Sequence, residues 1–249
     1  MPLARTVFNP ADDPLLNPQK DDNNLIEPEF YVPILPLVLV NGAEGIGTGW
    51  STSIPCFNPV EIVANLRRLM NGEEVVPMVP WWRGFKGEIK QTTKNRYDVS
   101  GVVKKVNETT VEILELPVGK WTGPYKLELE TMIAGEKDKD KEGVIKVSGF
   151  YVLSKDGFLN DGFFQDYKEY HDNVNVHFVI TMGAKELEKA EQQGLLEFFR
   201  LTSKINTGNM ICFDFEGKIK KYDTAEDLLE DFYPVRLAYY QKRKVRMDP

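Results

Sequence analysis

The sequence predicts an α+β fold in which a mixed antiparallel sheet packs against helices. Three observations predict it. Strand-like runs at 87–90, 97–106 and 109–116 follow one another through turn residues, and a further pair at 210–215 and 218–222 flanks Glu216-Gly217. Helical stretches begin near Asn58, Thr122, Ala184 and Thr224, so helices are mixed with those runs along the chain. With 249 residues, 42% of them hydrophobic, the chain can bury one large core or two modest ones.

Taken in order, residues 1–37 read as an irregular tail rich in Pro, Asn and Asp that closes on Pro33 and Pro36. Val38-Leu39-Val40 reads as the end of an apolar strand entering a loop with four glycines, Asn41-Gly42-Ala43-Glu44-Gly45-Ile46-Gly47-Thr48-Gly49-Trp50. Glycine permits φ > 0 and close backbone approach. Ile46 stands between two residues without side chains. It can fold back into a core, as bulky apolar residues usually do, or it can be presented as a wedge with free N–H groups beside it, which suits a DNA duplex. Nucleotide loops are excluded. No Gly-Lys-Ser/Thr is present, and Gly45-Ile46-Gly47-Thr48-Gly49 places its third glycine one residue early for a dinucleotide loop.

Asn58-Pro59-Val60-Glu61 is a helix start, with Asn58 as cap, Pro59 in the first helical position and Glu61 completing a capping-box pattern. Val63, Leu66 and Met70 are expected on its apolar face, flanked by Val60 and Ile62, and Gly72 ends it. Arg67 and Arg68 either complement the helix dipole or contact phosphate. Val111, Ile113 and Leu116 alternate with Glu112 and Glu115 as in a half-buried strand. Asn107-Glu108 reads as a hairpin connection, 122–134 as a helix and 136–142 as a solvated charged loop. The stretch 144–164 reads either as a hairpin with a turn at Lys155-Asp156-Gly157 or as an unstructured insert. Strand 174–181, helix 184–193 and the hairpin at 210–222 follow. Thr224-Ala225-Glu226-Asp227 opens a last helix with the stripe Leu228, Leu229 and Phe232, and Pro234 is expected to break or kink it.

Net charge is −7, and distribution matters more than this sum. From Arg67 to Lys126 the chain has eleven Lys/Arg and seven Asp/Glu and carries +4, roughly half of the cations being expected on a merely solvated face. Asp12, Asp13, Asp21 and Asp22 make the start acidic. Cys56 and Cys212 give no disulfide expectation, and with His171 and His177 they form no zinc spacing. No signal peptide or membrane-length apolar run appears.

The glycine loop lies between Glu27-Pro28-Glu29-Phe30-Tyr31-Val32-Pro33-Ile34-Leu35-Pro36 and Ser51-Thr52-Ser53-Ile54-Pro55-Cys56-Phe57-Asn58-Pro59. Together these resemble the DNA-cleavage core of eukaryotic type II DNA topoisomerases. The likeness continues through Gly84-Phe85-Lys86-Gly87, Leu116-Pro117-Val118-Gly119-Lys120-Trp121-Thr122, Asp166-Tyr167-Lys168-Glu169-Tyr170-His171 and Lys220-Lys221-Tyr222-Asp223-Thr224. Bacterial gyrase A proteins share the core of the loop, but the Trp50 and Trp121 contexts look eukaryotic.

The resemblance implies a winged-helix remnant at 1–37, a tower domain at 38–222 and the start of a coiled-coil arm at 223–249. Helices upstream in such a domain would cover Phe8, Leu15 and Leu16, so the remnant is expected to be poorly ordered in isolation. It implies that Ile46 is the DNA-bending wedge, that Asn41 and Thr48 brace the loop or touch the backbone, and that Trp121, Lys120 and Lys86 face DNA. Gly119 departs from the arginine frequent in relatives. The parent protein would be an ATP-dependent, Mg²⁺-using nuclear homodimer that breaks, passes and rejoins double-stranded DNA through paired tyrosines. The family's catalytic tyrosine lies upstream of the segment matching Leu3-Ala4-Arg5, so this chain is expected to hold no catalytic residue, metal site or ATP site and to be inactive alone. Two other readings remain at this point, a structural remnant without DNA affinity and a bacterial gyrase A-type segment.

Overall fold

The computed structural model describes residues 4–134, 144–147, 150–153 and 166–247. The first part of the chain runs α1 (Ala4–Val7), a 3₁₀ helix (Pro10–Leu15), β1 (Pro18–Asp21), β2 (Asn24–Pro28), α2 (Leu37–Asn41), β3 (Ala43–Ile46), β4 (Ser51–Ile54) and α3 (Pro59–Met70). Then come β5 (Glu88–Thr93), β6 (Arg96–Ser100), β7 (Val102–Asn107), β8 (Thr110–Glu115), α4 (Thr122–Ala134), β9 (Val144–Val147) and β10 (Phe150–Leu153). The rest is β11 (Asp166–Glu169), β12 (Phe178–Thr181), α5 (Ala184–Gln193), α6 (Leu195–Phe198), β13 (Thr202–Asn206), β14 (Met210–Phe213), β15 (Ile219–Tyr222) and α7 (Ala225–Met247). Helices and antiparallel strands are mixed as an α+β chain requires. Two compact units form, Met1–Arg83 with Asn206–Pro249, and Gly84–Ile205. Their limits cut across the divisions at 37 and 222 drawn from the resemblance.

The first unit centres on Leu39, Ile54, Phe57, Ile62, Met78, Met210, Tyr222, Leu228 and Leu229. In α3, Asn58 Oδ1 accepts from Val60 N at 2.9 Å, as its cap role requires. Gly72, at φ +73°, sits beyond the helix end, where Gly72 N donates to Leu69 O and Glu73 N to Arg68 O, a Schellman closure. The buried face differs from the expected one. Ile62 and Asn65 are buried, with Leu66 and Leu69 behind them, whereas Val60 and Met70 are exposed. A polar residue therefore holds the middle of the stripe. Asn65 accepts from Val76 N at 2.9 Å and donates to Val76 O at 2.8 Å, which offsets its burial.

Three further expectations for this unit are corrected. The 38–40 segment is not a strand but lies in the short helix α2, where Leu39 N and Val40 N both donate to Pro36 O and Leu39 is buried. The described part of the tail, residues 4–37, is ordered structure with a β1–β2 hairpin. It is tied down by Ile34 N to Val7 O at 3.0 Å, by the edge-on Phe8–Tyr31 pair, and by buried Asp12, which takes Arg236 Nη1 at 2.8 Å and the Arg243 guanidinium from α7. Pro234 does not break α7, which runs on to Met247. Glu230, whose carbonyl loses its helical partner, is exposed and can turn that carbonyl to water. The start of α7 is the expected capping box, Thr224 N donating to Asp227 Oδ2 and Asp227 N to Thr224 Oγ1.

The second unit has a sheet of order β11-β12-β8-β7 and another of order β13-β6-β5. Val111, Ile113, Phe178 and Ile180 on the first sheet pack with Tyr125, Leu129 and Met132 of α4 and with Leu187 and Ala190 of α5. The expected single strand 97–106 is two strands in different sheets. They part at Gly101, which donates to Leu201 O at 2.8 Å and whose Cβ, were there one, would lie 2.2 Å from Glu115 O. The expected strand 174–181 begins only at Phe178, because Asp172 Oδ1 accepts from Val174 N and Asn175 N and holds that stretch in a turn. Between 193 and 210 the structure adds α6 and β13, which no sequence signal marked. Of the 144–164 stretch, β9 and β10 pair antiparallel from Phe150↔Val147 to Leu153↔Val144, so the described residues form a strand pair N-terminal to the expected turn. The turn at 155–157 and the charge run at 136–142 lie outside the described residues.

Candidate nucleic-acid interface

In the first unit the glycine-rich segment folds as a hairpin, β3 pairing with β4 from Ala43↔Ile54 to Ile46↔Ser51. Gly47 N donates to Trp50 O at 2.7 Å and closes the tip Gly47-Thr48-Gly49-Trp50. Gly42 makes the corner from α2, at φ +68° and with its would-be Cβ 2.7 Å from Ile54 O. Gly49 at φ +79° makes the tip. Beyond β4 the hairpin is fastened to β14 and the turn before it. Ser53 N donates to Asn209 O, Asn209 Nδ2 to Ser51 Oγ and Ile211 N to Thr52 Oγ1. The β4 strand is thus braced up to the tip by groups that sequence spacing could not pair, since Ser51 and Asn209 are 158 residues apart.

On this braced hairpin Ile46 is 95% exposed and Trp50 55%. The inward alternative for Ile46 is therefore set aside. Thr48 is exposed at the tip, whereas Asn41 is exposed at the base, its carbonyl accepting from Cys56 Sγ at 3.0 Å. The structure does not bring these two together.

In the second unit Trp121 is 78% exposed, and its carbonyl accepts the first bond of α4 from Tyr125 N. It is not a core tryptophan. Lys120 beside it does not project as expected. Its Nζ lies 2.7 Å from Glu128 Oε2, donates to Arg200 O at 3.0 Å and sits 4.9 Å from the centre of the Tyr125 ring. A half-buried ammonium with these partners props the turn that carries Trp121 and is not free for phosphate. Gly119 in that turn has φ +85°. Lys86 is exposed; its Nζ donates to Asn175 Oδ1 at 2.8 Å and its backbone N to Glu115 Oε2 at 3.3 Å. Hydrogen bonds from Asn175 and Val174 hold the Asp172 carboxyl below its usual range and the Lys86 charge adds to this, although the ammonium forms no ion pair among the described residues.

Of the eleven cations between 67 and 126, five pair with carboxylates: Arg68, Lys90, Lys105, Lys120 and Lys126. That leaves Arg67 and Arg83 in the first unit, and Lys86, Lys94, Arg96 and Lys104 in the second, as the exposed cations with no carboxylate partner among the described residues. Arg68 also donates to Glu74 O just past the end of α3, which ties it to the helix terminus rather than to a phosphate. Among the described residues no group of three or more His, Cys, Asp and Glu could hold a metal, and no helix is long and apolar enough to cross a membrane. Burial pushes both thiols, Cys56 and Cys212, upward in pKa, so neither is activated as a nucleophile.

The family model for the DNA gyrase/topoisomerase IV A-subunit matches residues 1–247. DNA topoisomerase 2 of Saccharomyces cerevisiae is 44% identical over 245 residues, which are 98% of this chain and 16% of that protein. DNA topoisomerase 2-alpha of Homo sapiens is 45% identical over 243 residues, 97% of this chain and 14% of that protein. The crystal structure of the Plasmodium falciparum topoisomerase II DNA-binding, cleavage and re-ligation domain superposes with a TM-score of 0.86 at 37% identity, covering 98% of this chain and 30% of that one. The chain thus spans only a small part of the length of the relatives it matches. With the family model matching residues 1–247 and the hairpin, turn and capped helices where the motifs placed them, the chain belongs to the DNA gyrase/topoisomerase IV A-subunit family, and the relatives compared are eukaryotic DNA topoisomerase 2 proteins.

Proposed function

We propose that this chain is the DNA-gripping and DNA-bending segment of an ATP-dependent type II DNA topoisomerase, which changes DNA topology by double-strand breakage, passage and rejoining. The observation that supports this most is the 95% exposure of Ile46 on a hairpin whose β4 strand is hydrogen-bonded in place opposite it. Leaving a β-branched apolar side chain in water forgoes roughly 1.5–3 kcal/mol of burial. That energy is recovered if the side chain enters a base step. Bending a short site costs on the order of 1–6 kcal/mol, so one wedge is not sufficient and phosphate contacts must add to it. Trp121 and Lys86 of the second unit, and Thr48 and Asn41 of the first, are the proposed further contacts, with Lys120 acting through the turn it supports.

The parent protein is proposed to be a nuclear homodimer acting on double-stranded DNA with Mg²⁺ and ATP. The described residues contain no acidic cluster fit for the metal, and no step assigned to this chain runs through metal or nucleotide. What this chain does is mechanical. The fastened hairpin delivers Ile46, the exposed cations meet phosphate, and the resulting bend holds the duplex for cleavage elsewhere in the parent.

Ile46→Ala tests the reading. Because Ile46 touches no core, thermal stability should stay within about 0.5 kcal/mol, while energy transfer between dyes at the two ends of a short duplex should report a reduced bend. A loss of several kcal/mol, the size of a core truncation, with the bend unchanged would show that the residue serves folding instead.

A further inference from the structure

Four glycines lie between Gly42 and Gly49, and the protein's own backbone accounts for two of them. Gly42 and Gly49 have φ of +68° and +79°, and Gly42 has no room for a Cβ. Gly45 and Gly47 have neither reason. Neither has a positive φ, a Cβ on Gly45 would meet nothing within 4 Å, and one on Gly47 would make only an ordinary contact with Trp50 O at 3.5 Å. Gly45 lies inside β3, paired with Thr52. Glycine within a strand loses conformational entropy and packs nothing, and where no internal cause exists it marks a place that something outside the chain approaches closely.

We infer that Gly45 is a DNA-contact position whose missing side chain thins the β3–β4 ribbon so that it fits between the walls of the minor groove. This rests on the reading of the hairpin as a DNA wedge and adds a residue to it. In a strand, successive side chains point to opposite faces. Ile46 therefore projects from one face and position 45 from the other. A ribbon bearing side chains on both faces approaches the roughly 10 Å spacing of packed sheets, whereas the undistorted minor groove is about 6 Å wide. On the face that Ile46 does not use, the cross-strand Thr52 is turned to Ile211 N, so a bare backbone at 45 lets the groove wall close against the β3 edge of that face. Gly47 extends the same clearance into the tip, and its N–H is already engaged with Trp50 O, so the tip keeps its shape as the duplex closes on it.

The test compares Gly45→Ala with Ile46→Ala and Gly49→Ala in the 249-residue chain. The readouts are thermal melting, anisotropy of a dye-labelled short duplex and energy transfer across that duplex. Gly45→Ala should melt at an unchanged or higher temperature, weaken duplex binding about tenfold, the size of a one-methyl overpacking penalty, and reduce the bend. Gly49→Ala should lower the melting temperature, because its φ does not suit alanine. If Gly45→Ala itself lowers the melting temperature, the glycine has an internal role and the inference falls. If it binds and bends DNA as the parent chain does while Ile46→Ala loses the bend, this inference fails and the wedge reading stands. If neither variant changes binding or bending, both fail.

Discussion

The carboxylate of Asp12 accepts from Arg236 and Arg243 at once, and without it two guanidinium groups would face each other inside the first unit. Asp12 and Arg236 are both 3% exposed, and Arg236 Nη1 also donates to Val32 O. Its Nε and Nη2 have no hydrogen-bond partner among the described residues, and its flat face lies 4.1 Å from the centre of the Tyr240 ring. Removing one partner of a buried ion pair costs about 3–5 kcal/mol, largely because the other charge is stranded. Asp12→Ala should therefore lower stability by about 3 kcal/mol or more in urea unfolding followed by circular dichroism. Asp13 pairs instead with Arg5 at the surface and should lose less than about 1 kcal/mol on the same change. Two neighbouring aspartates with the same sequence context thus carry very different weight, and only burial separates them.

Between elements, α4 is tied to the edge strand β11 by a polar contact that titrates. Tyr167 OH donates to Glu130 Oε1 at 2.9 Å. Desolvation, then the hydrogen bond and charge of Glu130, push the Tyr167 pKa up to about 12. An unfolded tyrosine titrates near about 10, so the folded state holds its proton more tightly. That contribution is fully present below about pH 10 and is lost as pH rises through about 12. We expect the melting temperature of the chain to fall across this alkaline window, and Tyr167→Phe, which loses the bond to Glu130, to melt somewhat lower at neutral pH and to show a flatter alkaline fall. Melting curves at matched ionic strength would check this, and an equal slope in both proteins would assign the fall to other groups. The same unit carries Tyr125, raised further still by burial, whose OH donates to Phe199 O inside the core.

For the molecule as a whole, net charge −7 coexists with proposed duplex contact because exposed cations without carboxylate partners occur in both units while many acids are spent on ion pairs. Binding of the 249-residue chain to duplex DNA should weaken steeply with salt, since it depends on counterion release. Relaxation of supercoiled plasmid is a separate matter. Tyr125, Tyr167 and Tyr222 all have pKa values pushed upward, chiefly by desolvation, which is the wrong direction for a tyrosine nucleophile. The chain alone should leave plasmid topology unchanged with or without Mg²⁺ and ATP, as read on agarose gels. Relaxation by pure protein would overturn that expectation.

Much of the fold was legible in the chain because its signals are local. Asn58 with Pro59, Gly72, the Thr224–Asp227 box, Asn107-Glu108 and Glu216-Gly217 each act within a few residues, and the structure uses all of them where they stand. Ile46 between two glycines was equally plain, although whether it pointed in or out was open. Tertiary structure decided what depends on distant partners. It turned Val38-Leu39-Val40 into helix through Pro36, buried Asn65 against Val76, split 97–106 at Gly101 against Glu115, and ordered the first residues through Asp12 and Arg236, 224 positions apart. It also drew Lys120 inward to Glu128 and Arg200 and left Trp121 outside. Caps and turns satisfy backbone groups within their own few residues, so a sequence can specify them alone. A buried polar side chain needs a partner that only the folded chain supplies.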